Sequence, residues 1–203
     1  MSGPAAWLSR GLMAASKAGD RARVLLRRAM FGGVAEIGPR VRFLDGGSVA
    51  NIRGERGAVR IGAHSIIGGE LLTFAHGGSI AIGEWCYVGA GTRIWSAAEI
   101  VIGDRVLVSH GVNIHDSDSH PRDPGARHQQ FVAIARHGHP RFITGIAAAP
   151  VKIGDDAWIG FNATVLKGVT IGARSIVGAG SIVTRDVPPD SLYIGNAIVG
   201  SSK

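Results

Sequence analysis

Three histidines recur every five residues, at His110, His115 and His120, and Asp116 and Asp118 stand between the last two. Imidazole titrates near neutral pH, so a histidine here could take the proton from a hydroxyl as that hydroxyl attacks an acyl carbon. A carboxylate on the other ring nitrogen would fix the tautomer and stabilise the imidazolium; Asp118 and Asp116 are the nearest candidates. The same aspartates serve equally well as turn caps through bonds to the backbone. Three neutral imidazoles that leave one position open to water are also sound zinc chemistry. The spacing alone leaves both reactions open.

The elements that must position these residues follow a period of six. Aliphatic side chains stand at Ile153, Ile159, Val165, Ile171, Val177 and Val183, and glycine follows four of them, at Gly154, Gly160, Gly172 and Gly178. Small or β-branched residues (Ala157, Ala163, Val169, Ser175, Ser181) sit four places after each aliphatic. Such a chain coils through short strands and tight corners, each coil resting on the one before, with ladders along the axis. The same phase runs through Ile82, Val88, Ile94 and Ile100, then resumes two residues out of step at Ile102, Val108 and Ile114, which predicts a bulged corner. Weaker copies at Ile37, Phe43, Ile61 and Ile67 set the start of an all-β solenoid near residue 35 and its end near 198.

Two segments depart from the period. In residues 5–31 the spacing of Leu8, Leu12, Ala15, Gly19, Ala22, Leu26 and Ala29 is that of a helix seam. Residues 1–34 therefore read as a helical arm, made basic by Arg10, Lys17, Arg21, Arg23, Arg27 and Arg28. It could lie on an anionic membrane surface, cap the open end of the coil or pack on a neighbouring subunit. Residues 116–150 form a long protruding loop, of a length that is usually functional, and 199–203 read as a C-terminal tail.

Composition narrows the partners. The formal charge of +7 suits phosphorylated ligands or anionic surfaces. The basic residues are not interleaved with aromatics as in a nucleic-acid module, so no nucleic acid is expected. Cys86, the one cysteine, cannot form an internal disulfide and reads as buried filler. No apolar run approaches the roughly 20 residues that span a bilayer. A cytoplasmic protein is expected, peripheral at most to the inner face of a membrane.

The hexads from Ile153 to Pro189 resemble those of the hexapeptide-repeat acyltransferases, which fold as left-handed parallel β-helices with three hexads per coil. The segment from Gly111 to His120-Pro121 is similar to the galactoside and maltose O-acetyltransferases and to capsule and lipopolysaccharide acetyltransferases, where a His-Pro pair at the mouth of a loop carries the catalytic histidine. This resemblance implies His120 as general base, with acetyl-CoA as donor. It implies a backbone amide after Trp158-Ile159-Gly160, at Gly160 or Phe161, as oxyanion donor; a small or polar residue is more usual where Phe161 stands. It implies a coenzyme A groove along Gly178, Ala179, Gly180, Thr184 and Arg185, with Trp158 beside it and Lys167 and Arg185 meeting phosphate charge. The family's Gly-Asn-Pro-Ala ending appears as Gly195-Asn196-Ala197-Ile198, without its proline or prompt cation, which leaves Lys203 as a substitute. A homotrimer with sites between subunits, a carbohydrate acceptor in a surface polysaccharide or its precursor, and no metal are implied as well. The five-residue histidine spacing also resembles γ-class carbonic anhydrases, which hold zinc on this same fold, and a non-enzymatic trimeric scaffold is the third reading.

Overall fold

The computed structural model describes Leu26 and residues 29–202 of the chain. Residues 35–194 wind into a three-sided parallel coil whose strands are two to four residues long. The first sheet joins Glu36–Ile37, Val59–Ile61, Ile80–Ile82, Ile100–Ile102, Val151–Ile153 and Thr170–Ile171. The second joins Arg42–Phe43, Ile66–Ile67, Tyr87–Val88, Leu107–Val108, Trp158–Ile159, Ile176–Val177 and Ser191–Ile194. The third joins Ser48–Asn51, Glu70–Thr73, Arg93–Ser96, Asn113–His115, Thr164–Val165 and Ile182–Val183.

Each strand offers one or two inward positions, and a three-walled tube leaves only a narrow column to fill. That is why the aliphatics must recur at six. Ile153, Ile159, Val165, Ile171, Val177 and Val183 are all 0–2% exposed and stack in one continuous core with the residues of the earlier coils. Burial of such side chains stabilises by about 1.5–3 kcal/mol each before entropy is set against it. Glycine after the aliphatic is a matter of distance: a Cβ on Gly154 would lie 2.6 Å from the Ala173 nitrogen in the next coil. At the corner between the first and second sheets, each coil places one residue at positive φ, among them Arg105 (+57°), Asp156 (+59°), Arg174 (+60°) and Asp190 (+57°). Stacked one per coil, these pair as two forks, Arg105 on Asp156 at 2.7 and 2.9 Å and Arg174 on Asp190 at 2.8 Å twice.

The slip in phase after Ile94 is a bulged corner at 97–99, and its partner is a residue first weighed for catalysis. Asp116 is fully buried and accepts bonds from Ser96 Oγ (2.6 Å), Ala97 N–H (2.7 Å) and Ala98 N–H (3.0 Å). The extra residues turn two amides inward, and the carboxylate satisfies both.

Two other features depart from the sequence reading. The insertion at 116–150 is not loop throughout but carries helix α1, Pro124–His137. The residues after 198 are not a free tail: Ala197–Ser201 folds back antiparallel on Ser191–Ile194 and closes the edge of the second sheet. At the other end, residues 29–32 are helical, and Phe31 packs on Phe43 with ring centroids 4.7 Å apart, so the described end of the arm covers the first coil. The basic residues from Arg10 to Arg28 lie outside the described residues, as does Lys203. Among the described residues no helix is long and apolar enough to cross a membrane.

Candidate active site

The chain leaves the third sheet at His115 and returns to the first at Val151, and a neck holds the two ends together. Ser117 and Ala148 form an antiparallel bridge, with Asp118 N–H on Ala147 O and Ala149 N–H on Asp116 O, both at 2.9 Å. Below the neck, Gly168 N–H of the next coil donates to Ala149 O, and Lys167 makes a short ion pair with Asp118. Arg122 reaches the same carboxylate at 3.3 Å. The Lys167 ammonium, with Arg122 beside it, holds the Asp118 carboxyl below the usual carboxylate range.

His120 follows directly. Its backbone N–H donates to Asp118 O at 2.7 Å across Ser119, whose φ is +63°. That is the rare, strained form of the γ-turn, a conformation that clusters at functional sites. The ring is exposed, and its Nδ1 lies 2.8 Å from Gln130 Oε1. Gln130 Nε2 donates to Ser119 O at 3.5 Å, which leaves the amide oxygen for the ring. An amide oxygen only accepts, so Nδ1 carries the proton and Nε2 is left with its lone pair outward, as a base requires.

Helix α1 carries that partner. Asp123 caps its start by accepting from Ala126 N–H at 2.7 Å, Pro124 takes the first turn, and Gly138 at φ +79° ends it. Arg127 and Gln130, three residues apart on one face, both turn back to the chain: Arg127 Nη1 donates to Pro121 O (3.2 Å) and Arg122 O (3.1 Å). The sequence reading missed Gln130, since it lies ten residues from His120 on a helix with no buried side chain. The Asp-Pro-Gly start and the glycine stop were the legible signals.

Neither aspartate first considered touches the imidazole. Asp116 is turned into the bulged corner and Asp118 onto Lys167, and the group in contact with the ring is the neutral Gln130. Lys167, expected at phosphate, pairs with Asp118 of the neck.

The remaining candidates lie elsewhere on the coil. Trp158 stands on the outer face of the second sheet, half exposed in register with Leu107 and Ile176, its indole Nε1 donating to Ser109 Oγ at 3.2 Å. Gly160 N–H is taken by the ladder, donating to Val177 O at 2.8 Å, which removes it as an oxyanion donor. Phe161, at the corner that follows, stacks face to face on His110 at 5.2 Å. Its carbonyl accepts from Gly180 N–H, while its own N–H enters no hydrogen bond among the described residues. Gly178 N–H is committed to Tyr193 O (2.7 Å), whereas Ala179, Gly180, Thr184 and Arg185 form an exposed edge one coil on. Arg185 gives one bond to Asn196 O at 2.7 Å and pairs with no carboxylate among the described residues.

The three histidines are not brought together. His110 lies against Phe161, His115 against Trp95 at 5.0 Å, and His120 on Gln130. Among the described residues no three His, Cys, Asp or Glu form a group that could hold a metal ion.

Comparison with known proteins agrees with this geometry. Residues 150–185 match the bacterial transferase hexapeptide (six repeats) family. The chain is similar to the galactoside O-acetyltransferase of Escherichia coli, 33% identical over 122 residues, which is 60% of this chain and 53% of that protein. It thus spans about half the length of the curated relatives it matches. Among solved structures it is similar to a hexapeptide-repeat acetyltransferase of Vibrio cholerae complexed with acetyl coenzyme A (28% identity, TM-score 0.56, 90% of this chain and 78% of that one). It is similar also to the polySia-specific acetyltransferase NeuO (25% identity, TM-score 0.59, 84% and 77%). Repeat, three-sided coil and relatives agree: residues 150–185 carry the transferase hexapeptide repeat, and the body of the chain is a left-handed parallel β-helix similar to that of hexapeptide-repeat acetyltransferases.

Proposed function

We propose that this protein is an acetyl-CoA-dependent O-acetyltransferase acting on a sugar hydroxyl, with His120 as general base. The observation that carries the reading is the imidazole itself: Nδ1 is held by Gln130, Nε2 has no partner among the described residues, and the ring sits on a strained turn whose neck is pinned by Asp118 and Lys167. In the proposed reaction Nε2 takes the hydroxyl proton as the oxygen attacks the thioester carbonyl. The carbon–sulfur bond then breaks, and the leaving thiolate takes the proton from the imidazolium. The Phe161 N–H is the candidate donor to the oxyanion of the tetrahedral intermediate. Trp158, with the exposed edge Ala179, Gly180, Thr184 and Arg185, is the candidate donor groove; Arg185, paired with no carboxylate, suits a phosphate.

His120 touches residues of its own insertion, whereas Trp158 and Phe161 lie on the second sheet and its corner. A trimer, with the insertion of one chain against the second sheet of the next, would bring the base to the donor. A sugar acceptor, such as a unit of a surface polysaccharide, is supported by the galactoside and polySia specificity of the named relatives. The test is calorimetric titration of wild type and His120→Ala with acetyl-CoA, followed by release of free thiol in the presence of sugar acceptors. Binding by both proteins with turnover by wild type alone is the expected result. No binding by either removes the donor assignment.

A further inference from the structure

The charge of this protein is not spread along the coil. Residues 1–62 hold eleven Lys and Arg against four Asp and Glu, and residues 63–203 hold eleven of each, so the whole excess of +7 belongs to the arm, the first coil and the opening strand of the second. A solenoid is one-dimensional, so the five arginines of residues 35–62, set against Glu36, Asp45 and Glu55, lie at one end of it.

Five arginines ring that end. Arg40 stands at the first corner, Arg42 on the outer face of the second sheet, Arg53 and Arg56 between the third and first sheets, and Arg60 on the outer face of the first. All five are exposed. Only Arg53 has a carboxylate partner among the described residues, Glu55 at 2.8 Å. Arg56 and Arg60 each donate a single bond to a backbone carbonyl, of Ala35 (3.2 Å) and Gly57 (3.3 Å).

Exposed aliphatics lie among them. Leu26 and Met30 are each 63% exposed, and Ile52, Val34 and Leu44 follow at 48, 38 and 36%. Leu26, Met30 and Phe31 form one wall of a groove of about 630 Å³ whose other wall is the turn Asp45–Ser48. Guanidinium groups around exposed aliphatics suit an interface where phosphates lie above acyl chains. Single-stranded nucleic acid would instead call for a run of aromatic platforms, whereas the exposed large apolar side chains of the described residues 26–62 are Leu, Met, Val and Ile, and Trp85, stacked on His64, is the first exposed aromatic along the coil.

We propose that this end of the coil is a docking face for an anionic lipid bilayer. The coil axis then stands away from the membrane, the arginines meet headgroup phosphates, and Leu26, Met30, Val34, Leu44 and Ile52 enter the headgroup boundary. The arm adds six basic residues to the same end of the sequence. The face involves neither donor nor acceptor, so the proposal stands or falls apart from acetyl transfer.

The experiment is flotation of the full chain with phosphatidylcholine vesicles prepared with and without phosphatidylglycerol. The chain is expected to float with the anionic vesicles only and to be released by salt. The triple variant Arg40→Gln, Arg42→Gln, Arg60→Gln is expected to partition about fivefold more weakly for each arginine removed. The pair Met30→Ser, Leu44→Ser is expected to bind more weakly in the same assay. An unchanged melting curve for each variant shows that the fold is kept. Failure to float, equal flotation on neutral vesicles, or a triple variant that floats like wild type overturns the proposal. So does retention of RNA or duplex DNA by a chain that ignores the vesicles.

Discussion

The imidazole of His120 is oriented by an amide and not by a carboxylate: Gln130 Oε1 stands 2.8 Å from Nδ1, presented from the second turn of a helix that buries none of its own side chains. A neutral acceptor fixes the tautomer but does little for the imidazolium. Replacing Gln130 by Glu is therefore expected to favour the imidazolium and move the acid limb of kcat/KM upward by about one pH unit. Gln130→Leu is expected to lower kcat and leave donor binding alone. A profile unmoved by Gln130→Glu would show that the contact does not act on the base.

His120→Ala removes the base itself. Acetyl transfer is expected to fall by about a hundredfold to ten-thousandfold, the range for a positioned general base. Calorimetry with acetyl-CoA is the companion measurement, and its dissociation constant is expected to stay the same.

The ion pair between Asp118 and Lys167 ties the neck of the insertion to the next coil. Because the folded carboxyl titrates below its ordinary value, its stabilising effect is complete above the unfolded value of about 4 and is lost as pH falls through the depressed folded one. Asp118→Asn is expected to lower kcat at neutral pH with little change in the melting temperature of the coil. Faster amide exchange confined to 116–123 would mark the loosened neck.

His115 is the second pH-sensitive group. Burial lowers its pKa, Asp116 opposing and Arg93 assisting, and its Nε2 has no hydrogen-bond partner among the described residues. The unfolded chain then binds the proton more readily than the fold, so stability is complete above about 6.5 and declines as pH falls below it. His115→Phe is expected to flatten melting temperature against pH between neutral and mildly acid conditions. A slope kept in full by the variant would assign it to other groups.

The close approach at Gly154 gives a test of the coil. Ala at this position puts a Cβ 2.6 Å from the Ala173 nitrogen, where backbone must yield. Overpacking of this kind costs about 1–3 kcal/mol. For a chain of this length that is a fall in Tm of roughly 2–10 °C, read by calorimetry.

The coil was legible in the sequence because one inward position per hexad admits few residue types, so Ile153 to Val183 announced themselves by spacing alone. Helix α1 was not, because it faces the core with nothing: Phe131 is 67% exposed and no side chain is buried, so no apolar stripe existed to be read. Asp116 misled for a related reason. Its partners, Ser96 and the amides of Ala97 and Ala98, are about twenty residues away in the chain and adjacent only once the coil has turned. Lys167 and Asp118, 49 residues apart, meet in the same way.

The register across the insertion is continuous: Ile100 pairs with Val151, Leu107 with Trp158 and Asn113 with Thr164, as though residues 116–150 were not there. The neck at Ser117 and Ala148 closes them off as a detachable cassette. Loop-closure entropy grows only slowly with length, so such a cassette can be lengthened, shortened or exchanged at little cost to the tube that carries it. Scaffold and chemistry are thereby uncoupled: new acceptor preferences can be tried by rewriting one segment, while the hexads that keep the molecule folded go on unchanged.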